Sequence, residues 1–220
     1  MVSIILCDDH QIVRRGIRQI LEERPDFKVV SEVSDGEQLL KELRLIKPNL
    51  VLLDIGLPGR SGLEVLKQIH LLYPKIKVLV LSMYPEDQYA IRIIKAGALG
   101  YLHKDSPPDV LYDAINTVAR GGKYVSTAIT NLLFKEIVSE SKKISPLHKS
   151  LSDREFEVLL QLGKGKKVGE IAQSMALSVK TVSTYKTRVF EKLDIHNVAE
   201  ITQYLIKHNL LEENLAEEPR

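Results

Sequence analysis

The stretch VSIILCDDHQIVRRGIRQILEE, residues 2–23, decides the fold. It opens on an apolar run, Val2–Cys7, and passes straight into Asp8 and Asp9. From His10 to Glu23 the apolar residues Ile12, Val13, Ile17, Ile20 and Leu21 fall 1, 4, 3 and 1 apart, the spacing of one helical face. A strand, a pair of acids and an amphipathic helix thus follow one another without a gap.

The same unit recurs along the first half of the chain. Further apolar runs lie at Phe27–Val33, Leu50–Leu53, Val78–Ser82 and Leu99–Leu102, rich in Val, Ile and Leu. Their near-continuous apolarity suits strands buried on both faces. Helical patterns lie between and after them at Gly36–Ile46, Gly62–Leu72, Glu86–Ala96 and Pro107–Arg120. Gly97 stands where a C-terminal helix cap is expected, and Pro108 fits a first turn. Five strand–helix pairs predict one doubly wound α/β domain with a parallel five-stranded sheet. Right-handed crossovers then bring all strand C-termini to one rim, where open α/β sheets bind ligands.

Five polar residues fall on that rim. Asp8 and Asp9 follow the first strand, Asp54 the third, Ser82 ends the fourth and Lys104 lies just past the fifth. With strand order 2-1-3-4-5 the first and third strands are neighbours, which gathers three carboxylates. Like charges that close repel, and a divalent cation removes the conflict. Magnesium suits the set, because it takes hard oxygen ligands and keeps several waters. A carboxylate beside magnesium, an ammonium and a hydroxyl is what phosphoryl transfer needs. The cations neutralise the equatorial oxygens while a carboxylate oxygen attacks in line.

Composition bounds the rest. The 220 residues allow one large domain or two small ones, and 44% hydrophobic with 27% charged residues is ordinary for a folded protein. A single cysteine, Cys7, excludes an intramolecular disulfide and a four-cysteine zinc site. No apolar run reaches membrane-spanning length, and the N-terminus lacks the basic start and cleavage site of a secretory signal. A cytoplasmic location is the resulting expectation. Residues 1–120 carry 16 basic and 16 acidic groups, whereas residues 142–192 carry 11 basic against 5 acidic. The basic block suggests a polyanion partner for that half, the alternative being a solvated charged surface, and the last ten residues reverse sign with four Glu and one Arg.

After Gly121-Gly122 comes a mixed stretch with one helix expected near Ala128–Val138, then the polar tract SESKKISPLHKS. From Leu151 onward the pattern is wholly helical. LSDREFEVLLQLGKG starts with Ser152 as cap and Glu155 three residues on, a capping box. Phe156, Leu159, Leu160 and Leu162 form its apolar face. Ile171, Ala172 and Met175 point a short helix inward, and Ser178 caps VKTVSTYKTRVFEKL. There Val182, Val189, Phe190 and Leu193 look inward, leaving Lys180, Ser183, Thr184, Lys186, Thr187 and Arg188 polar. Two short helices and a tight turn, the second helix basic and hydroxyl-rich, predict a helix-turn-helix in a major groove.

ILCDDH, LLDIGLPGRSGLEVL and VLVLSMYPEDQYAIRIIKAGALGYLHKD together resemble a response-regulator receiver domain. The resemblance implies that Asp54 accepts a phosphoryl group from a sensor histidine kinase. Asp9 and Asp54 would bind Mg2+ directly, Asp8 through water, and the carbonyl of Gly56 would be a further ligand. Lys104 would contact the phosphoryl oxygens, Ser82 would hydrogen-bond the phosphoryl group, and Tyr101 would move with it. Cys7, Gly56, Met83 and His103 depart from the commonest receiver pattern, which bears on the lifetime of the phosphorylated state.

LSDREFEVL and GEIAQSMALSVKTVSTYKTRVFEKLDI resemble the LuxR-type output domain, so that the whole chain is similar to NarL/FixJ-type response regulators. This implies a scaffold helix at Val168–Ala176 and a recognition helix at Val179–Leu193. Ser183, Thr184 and Thr187 would face bases, with Lys180, Thr181, Tyr185, Lys186 and Arg188 near the DNA backbone. Lys167 stands where many relatives carry a Ser or Thr cap. The helix near Asn197–His208 is where such domains dimerise. The expected layout is a receiver over 1–121, a linker with one helix over 122–147, the DNA-binding domain over 148–210 and an acidic tail over 211–220. Partners would be the kinase, double-stranded promoter DNA, RNA polymerase and a second copy of the chain once phosphorylated, without a membrane. A phosphohydrolase reading fails at Gly56, where those enzymes carry a second Asp. A receiver that is never phosphorylated is opposed by the intact set Asp8, Asp9, Asp54, Ser82 and Lys104.

Overall fold

Strands β1 (Val2–Cys7), β2 (Phe27–Val33), β3 (Leu50–Asp54), β4 (Lys77–Ser82) and β5 (Gly100–His103) form one sheet in the order β2-β1-β3-β4-β5. All pairs are parallel, as the alternation of strands and helices predicts. A computed structural model describes residues 1–84, 86–127, 129–131, 134, 146–208 and 210–211, at backbone level only for 86–88. The chain divides into two compact units, Met1–Val138 and Ser139–Arg220. The helix expected near Ala128–Val138 lies largely outside the described residues. The polar tract up to Ser145 and the acidic tail from Glu212 onward lie wholly outside them.

In the first unit α1 (Gln11–Glu22), α2 (Gly36–Leu45), α3 (Gly62–Leu72), α4 (Glu86–Lys95) and α5 (Pro108–Ala119) follow the strands in turn. Successive strand side chains point to opposite faces. Ile4, Leu6, Leu50, Leu52, Leu79, Leu81 and Leu102 accordingly pack with Ile17, Leu21, Leu111, Ile115 and Val118 of α1 and α5. The residues between them, Ile5, Val51, Leu53 and Val80, are fully buried as well. β2 differs from the expectation of burial on both faces. Its middle residues are only half-buried, because it is an edge strand. The other edge is partly covered: Tyr124 bridges Gly100, and the Tyr101 N–H donates to the Tyr124 carbonyl at 3.2 Å.

Local chemistry sets the helix ends. Asp35 accepts from the Gln38 N–H at 2.9 Å and Ser61 from the Leu63 N–H at 3.2 Å, each capping a helix that follows it. Gly97 ends α4 with φ +106°, and a Cβ there would come within 2.5 Å of the His70 ring. Gly62 lets α3 start against the end of β3, since a Cβ would lie 2.4 Å from the Asp54 carbonyl oxygen and 2.6 Å from Ile55 Cα.

The second unit contains a short 3-10 helix (Leu147–Ser150), α6 (Asp153–Gly163), α7 (Val168–Ser174), α8 (Val179–Leu193) and α9 (Val198–Lys207). The capping box forms as read: Ser152 Oγ accepts from the Glu155 N–H at 3.3 Å, and Glu155 Oε2 accepts from the Ser152 N–H at 2.8 Å. Lys167 offers α7 no side-chain acceptor; instead Glu170 Oε2 accepts from the Lys167 N–H at 2.7 Å. The turn between α7 and α8 passes through Ala176 in the left-handed region, φ 51°. Val182, Val189 and Leu193 are buried as expected, but Phe190 is half-buried, with the Lys186 ammonium 5.3 Å above its ring centre.

Candidate functional site

The ends of β1, β3, β4 and β5 bring the predicted rim residues together. Asp54 closes β3 with its carboxylate 4% exposed, and Asp8 follows β1 at 2%. The Lys104 ammonium reaches in from just beyond β5 and lies 2.7 Å from Oδ2 of each. Asp54 Oδ1 accepts from the Gly56 N–H at 2.9 Å. Asp9 is more open and sits 2.8 Å from His10 Nδ1. Asp8 Oδ1 accepts from the His10 N–H at 2.8 Å, and Arg14 of α1 donates to the Asp8 carbonyl.

Burial raises the Asp54 pKa above 3.8; Lys104 opposes this and Asp8 adds to it. Burial alone would lower Lys104, but Asp54 and Asp8 outweigh it and hold the ammonium above 10.5. A buried carboxylate with a raised pKa beside a specific cation is a pattern concentrated at functional sites.

The oxygen set fits a divalent cation. Asp8, Asp9, His10 and Asp54 each present a ligand atom, all within 4.8 Å of one another. Asp8 Oδ2 and Asp9 Oδ1 are buried and take no well-directed hydrogen bond among the described residues, only the charge contacts to Lys104 and His10. Three carboxylates and one ammonium leave a charge of −2, which a divalent ion neutralises. Carboxylate oxygens favour a hard ion over a soft one.

Ser82 and Tyr101 meet at one residue, Tyr84. Ser82 is fully buried, and its Oγ accepts from the Tyr84 N–H at 3.0 Å. Tyr101 is only 1% exposed, and its hydroxyl donates to the Tyr84 carbonyl. Its ring therefore already lies inside. Residues His10, Arg14 and Tyr84 escaped the sequence reading. His10 carried a signal, being the third residue of the DDH run. Arg14 and Tyr84 act through main-chain groups, which sequence does not mark.

In the second unit Lys180, Ser183, Thr184, Thr187 and Arg188 are exposed along one face of α8, opposite the buried Val182, Val189 and Leu193. Tyr185 and Lys186 are half-buried beside them. Thr181 belongs to the cap: its N–H donates to Ser178 Oγ at 3.0 Å and the two hydroxyls lie 2.7 Å apart. Thr184 and Thr187 donate back to the carbonyls of Lys180 and Ser183, at 3.0 and 3.1 Å. Their outward groups are thus a methyl and oxygen lone pairs. The last turn of α8 is tied to α6 by Lys192 Nζ, 2.6 Å from Glu155 Oε2. Among the described residues no helix is long and apolar enough to cross a membrane.

Comparison with known proteins agrees with this fold. Residues 4–116 match the response regulator receiver domain family, and residues 149–205 match the luxR family of bacterial regulatory proteins. The chain is 38% identical over 210 residues to the response regulator UvrY of Escherichia coli (strain K12), covering 96% of both. It is 36% identical to the oxygen regulatory protein NreC of Staphylococcus aureus (strain MRSA252), covering 96% of this chain and 100% of that protein. RcsB from Salmonella enterica serovar Typhimurium, bound to promoter rprA in the presence of phosphomimetic BeF3−, is 27% identical with a TM-score of 0.63. That match covers 93% of this chain and 98% of the other. The chain belongs to the response regulators of the NarL/FixJ type, a receiver domain followed by a LuxR-type DNA-binding domain.

Proposed function

We propose that Asp54 accepts a phosphoryl group from a sensor histidine kinase, and that this acceptance controls the binding of the chain to promoter DNA. The observation that carries the reading is the Asp54 carboxylate, buried at the rim with Lys104 Nζ 2.7 Å from Oδ2 and Asp8 and Asp9 alongside. Asp8, Asp9, Asp54 and the Gly56 carbonyl would hold Mg2+, which would supply charge neutralisation at the transferring group. An Asp54 carboxylate oxygen bonds the phosphorus as the phosphorus–nitrogen bond of the kinase's phosphohistidine breaks, and the imidazole leaves with the kinase. Lys104 follows the charge onto the phosphoryl oxygens, and the Gly56 N–H steadies the carboxylate during attack. The receiver's own residues thus assist its phosphorylation and its later hydrolysis.

Once the phosphoryl group is in place, Ser82 Oγ turns to it and gives up the Tyr84 N–H. The β4–α4 segment reorganises around that loss, and Tyr101 follows through its bond to the Tyr84 carbonyl. On the output side, Lys180, Lys186 and Arg188 bind phosphates, with Tyr185 and Thr181 close to the backbone. Ser183, Thr184 and Thr187 read base edges. RcsB bound to promoter DNA, and two RcsB dimers bound to two parallel DNAs, support promoter DNA and a second copy of the chain as partners. Val198 and Ile206 of α9, exposed apolar residues, suit such a dimer. RNA polymerase is the further partner of a promoter-bound regulator, and the cytoplasm is where that DNA lies.

Beryllofluoride with magnesium imitates the phosphoryl group and tests the reading on the full chain. DNA selected from a random pool should bind about 5–150-fold more tightly when both are present, and Asp54→Asn should not respond. Equal affinity with and without beryllofluoride in the intact protein would contradict the coupling.

A further inference from the structure

The three residues after β4 begins to turn are held, one carbonyl each, by the end of β5. The Lys104 N–H donates to the Ser82 carbonyl at 2.9 Å. His103 Nε2 lies 3.3 Å from the Met83 carbonyl oxygen. The Tyr101 hydroxyl donates to the Tyr84 carbonyl. The first contact extends the sheet and the third belongs to the switch described above. The middle one comes from a side chain to which no role has been given, half-exposed at the rim.

The chemistry fixes the ring. A carbonyl oxygen only accepts, so Nε2 carries the proton in that bond. Nδ1 faces Asp105, 3.4 Å from its N–H and 3.5 Å from its Oδ2. His103 therefore spans two loops, meeting Asp105 of the β5–α5 turn through Nδ1 and giving its Nε2 donor to the β4–α4 segment. Met83 itself is 58% exposed and packs little, so its backbone position rests on such bonds rather than on its side chain. The peptide it precedes is the one whose N–H occupies Ser82 Oγ.

We propose that His103 is a positioning residue, a latch on the Met83 carbonyl that sets how readily Ser82 leaves Tyr84 for a phosphoryl group. The proposal rests on the reading of Asp54 and Ser82 given above. Loss of the latch weakens the resting arrangement of the segment without touching the groups that hold the phosphoryl group. Leucine at 103 lacks the donor. Glutamine retains an N–H donor on a flexible chain of similar reach.

The test uses the full chain as His103→Leu and His103→Gln, with two readouts. Hydrogen exchange at the Tyr84 amide reports the segment directly, without metal or phosphoryl analogue. Titration with beryllofluoride in magnesium reports the energy needed to recruit Ser82. His103→Leu should speed Tyr84 exchange and tighten beryllofluoride binding, each by about two- to tenfold, the worth of one hydrogen bond. His103→Gln should return both toward the parent protein. No change in the leucine variant overturns the proposal. So does a glutamine variant that behaves like leucine, because the ring would then act by shape and not by its donor. Should the parent protein take up no beryllofluoride at all, the reading of Asp54 fails, and the exchange rates still decide the latch.

Discussion

Lys104 Nζ lies 2.7 Å from Asp54 Oδ2, although 50 residues separate them in the chain. The pair is almost completely buried, and Asp8 shares the same ammonium. One cation thus answers two carboxylates, and the remaining negative charge suits a divalent ion.

Removing the ammonium should therefore expose the conflict. Lys104→Met leaves two buried carboxylates facing each other, and breaking a buried pair from one side costs about 3–5 kcal/mol. Urea unfolding of the first unit at pH 7 in chelator should show that loss, with magnesium restoring part of it. Stability equal to that of the parent protein in chelator would contradict the burial of the pair.

Asp54→Asn should act in the opposite direction on the metal-free protein. The Asp54 pKa is raised by burial above its ordinary 3.8. A raised carboxyl stabilises the fold below 3.8 and loses that contribution as pH rises through its folded value. At neutral pH the charged form is a burden that Asn lacks. The metal-free variant should melt higher than the parent at pH 7, and magnesium should raise it less. A lower melting point in chelator would contradict this.

Glu155 provides the opposite sign. Burial would raise it, but Lys192, the Ser152 N–H and the Ser152 hydroxyl more than offset that and hold it below 4.5. Its contribution is present above 4.5 and lost as pH falls through the lowered value. Glu155→Gln should cost the second unit about 2 kcal/mol at pH 7, the worth of a hydrogen bond to a charged group. The cost should shrink toward pH 3. A cost independent of pH would show that the carboxylate charge contributes nothing.

On DNA, Lys186→Ala or Arg188→Ala should weaken binding to all sequences and lower the salt slope by about 0.9 for each phosphate left without its cation. Ser183→Ala should change base preference, by roughly 1–3 kcal/mol at one base pair. Thr184 donates inward to the Lys180 carbonyl, so Thr184→Val keeps the outward methyl and should preserve a preference for thymine. A lysine variant with altered base preference and an unchanged salt slope would contradict this division.

Much of this architecture was legible because period and punctuation agree. The runs at Val2–Cys7 and Leu50–Leu53 end in acids, and that coincidence alone placed Asp8, Asp9 and Asp54 on one rim. The capping box at Ser152 and Glu155 was legible for the same reason, as a local pattern with a local cause. The half-burial of β2 was not, because a run such as Phe27–Val33 does not show whether its strand has one neighbour or two. The inward hydroxyls of Thr184 and Thr187 were not, because a polar residue on an exposed helical face reads as available to a partner. The grip of Tyr101 and His103 on successive carbonyls was hidden because main-chain oxygens look alike in every sequence.

The central claim is that Asp54 is the phosphoryl acceptor. Intact mass of the full chain, after incubation with magnesium and a small phosphodonor, tests it most directly. The parent protein should gain one phosphoryl group, lose that gain when magnesium is chelated, and show none in the Asp54→Asn variant. Full labelling of the Asn variant, or labelling of the parent that ignores magnesium, would contradict the account.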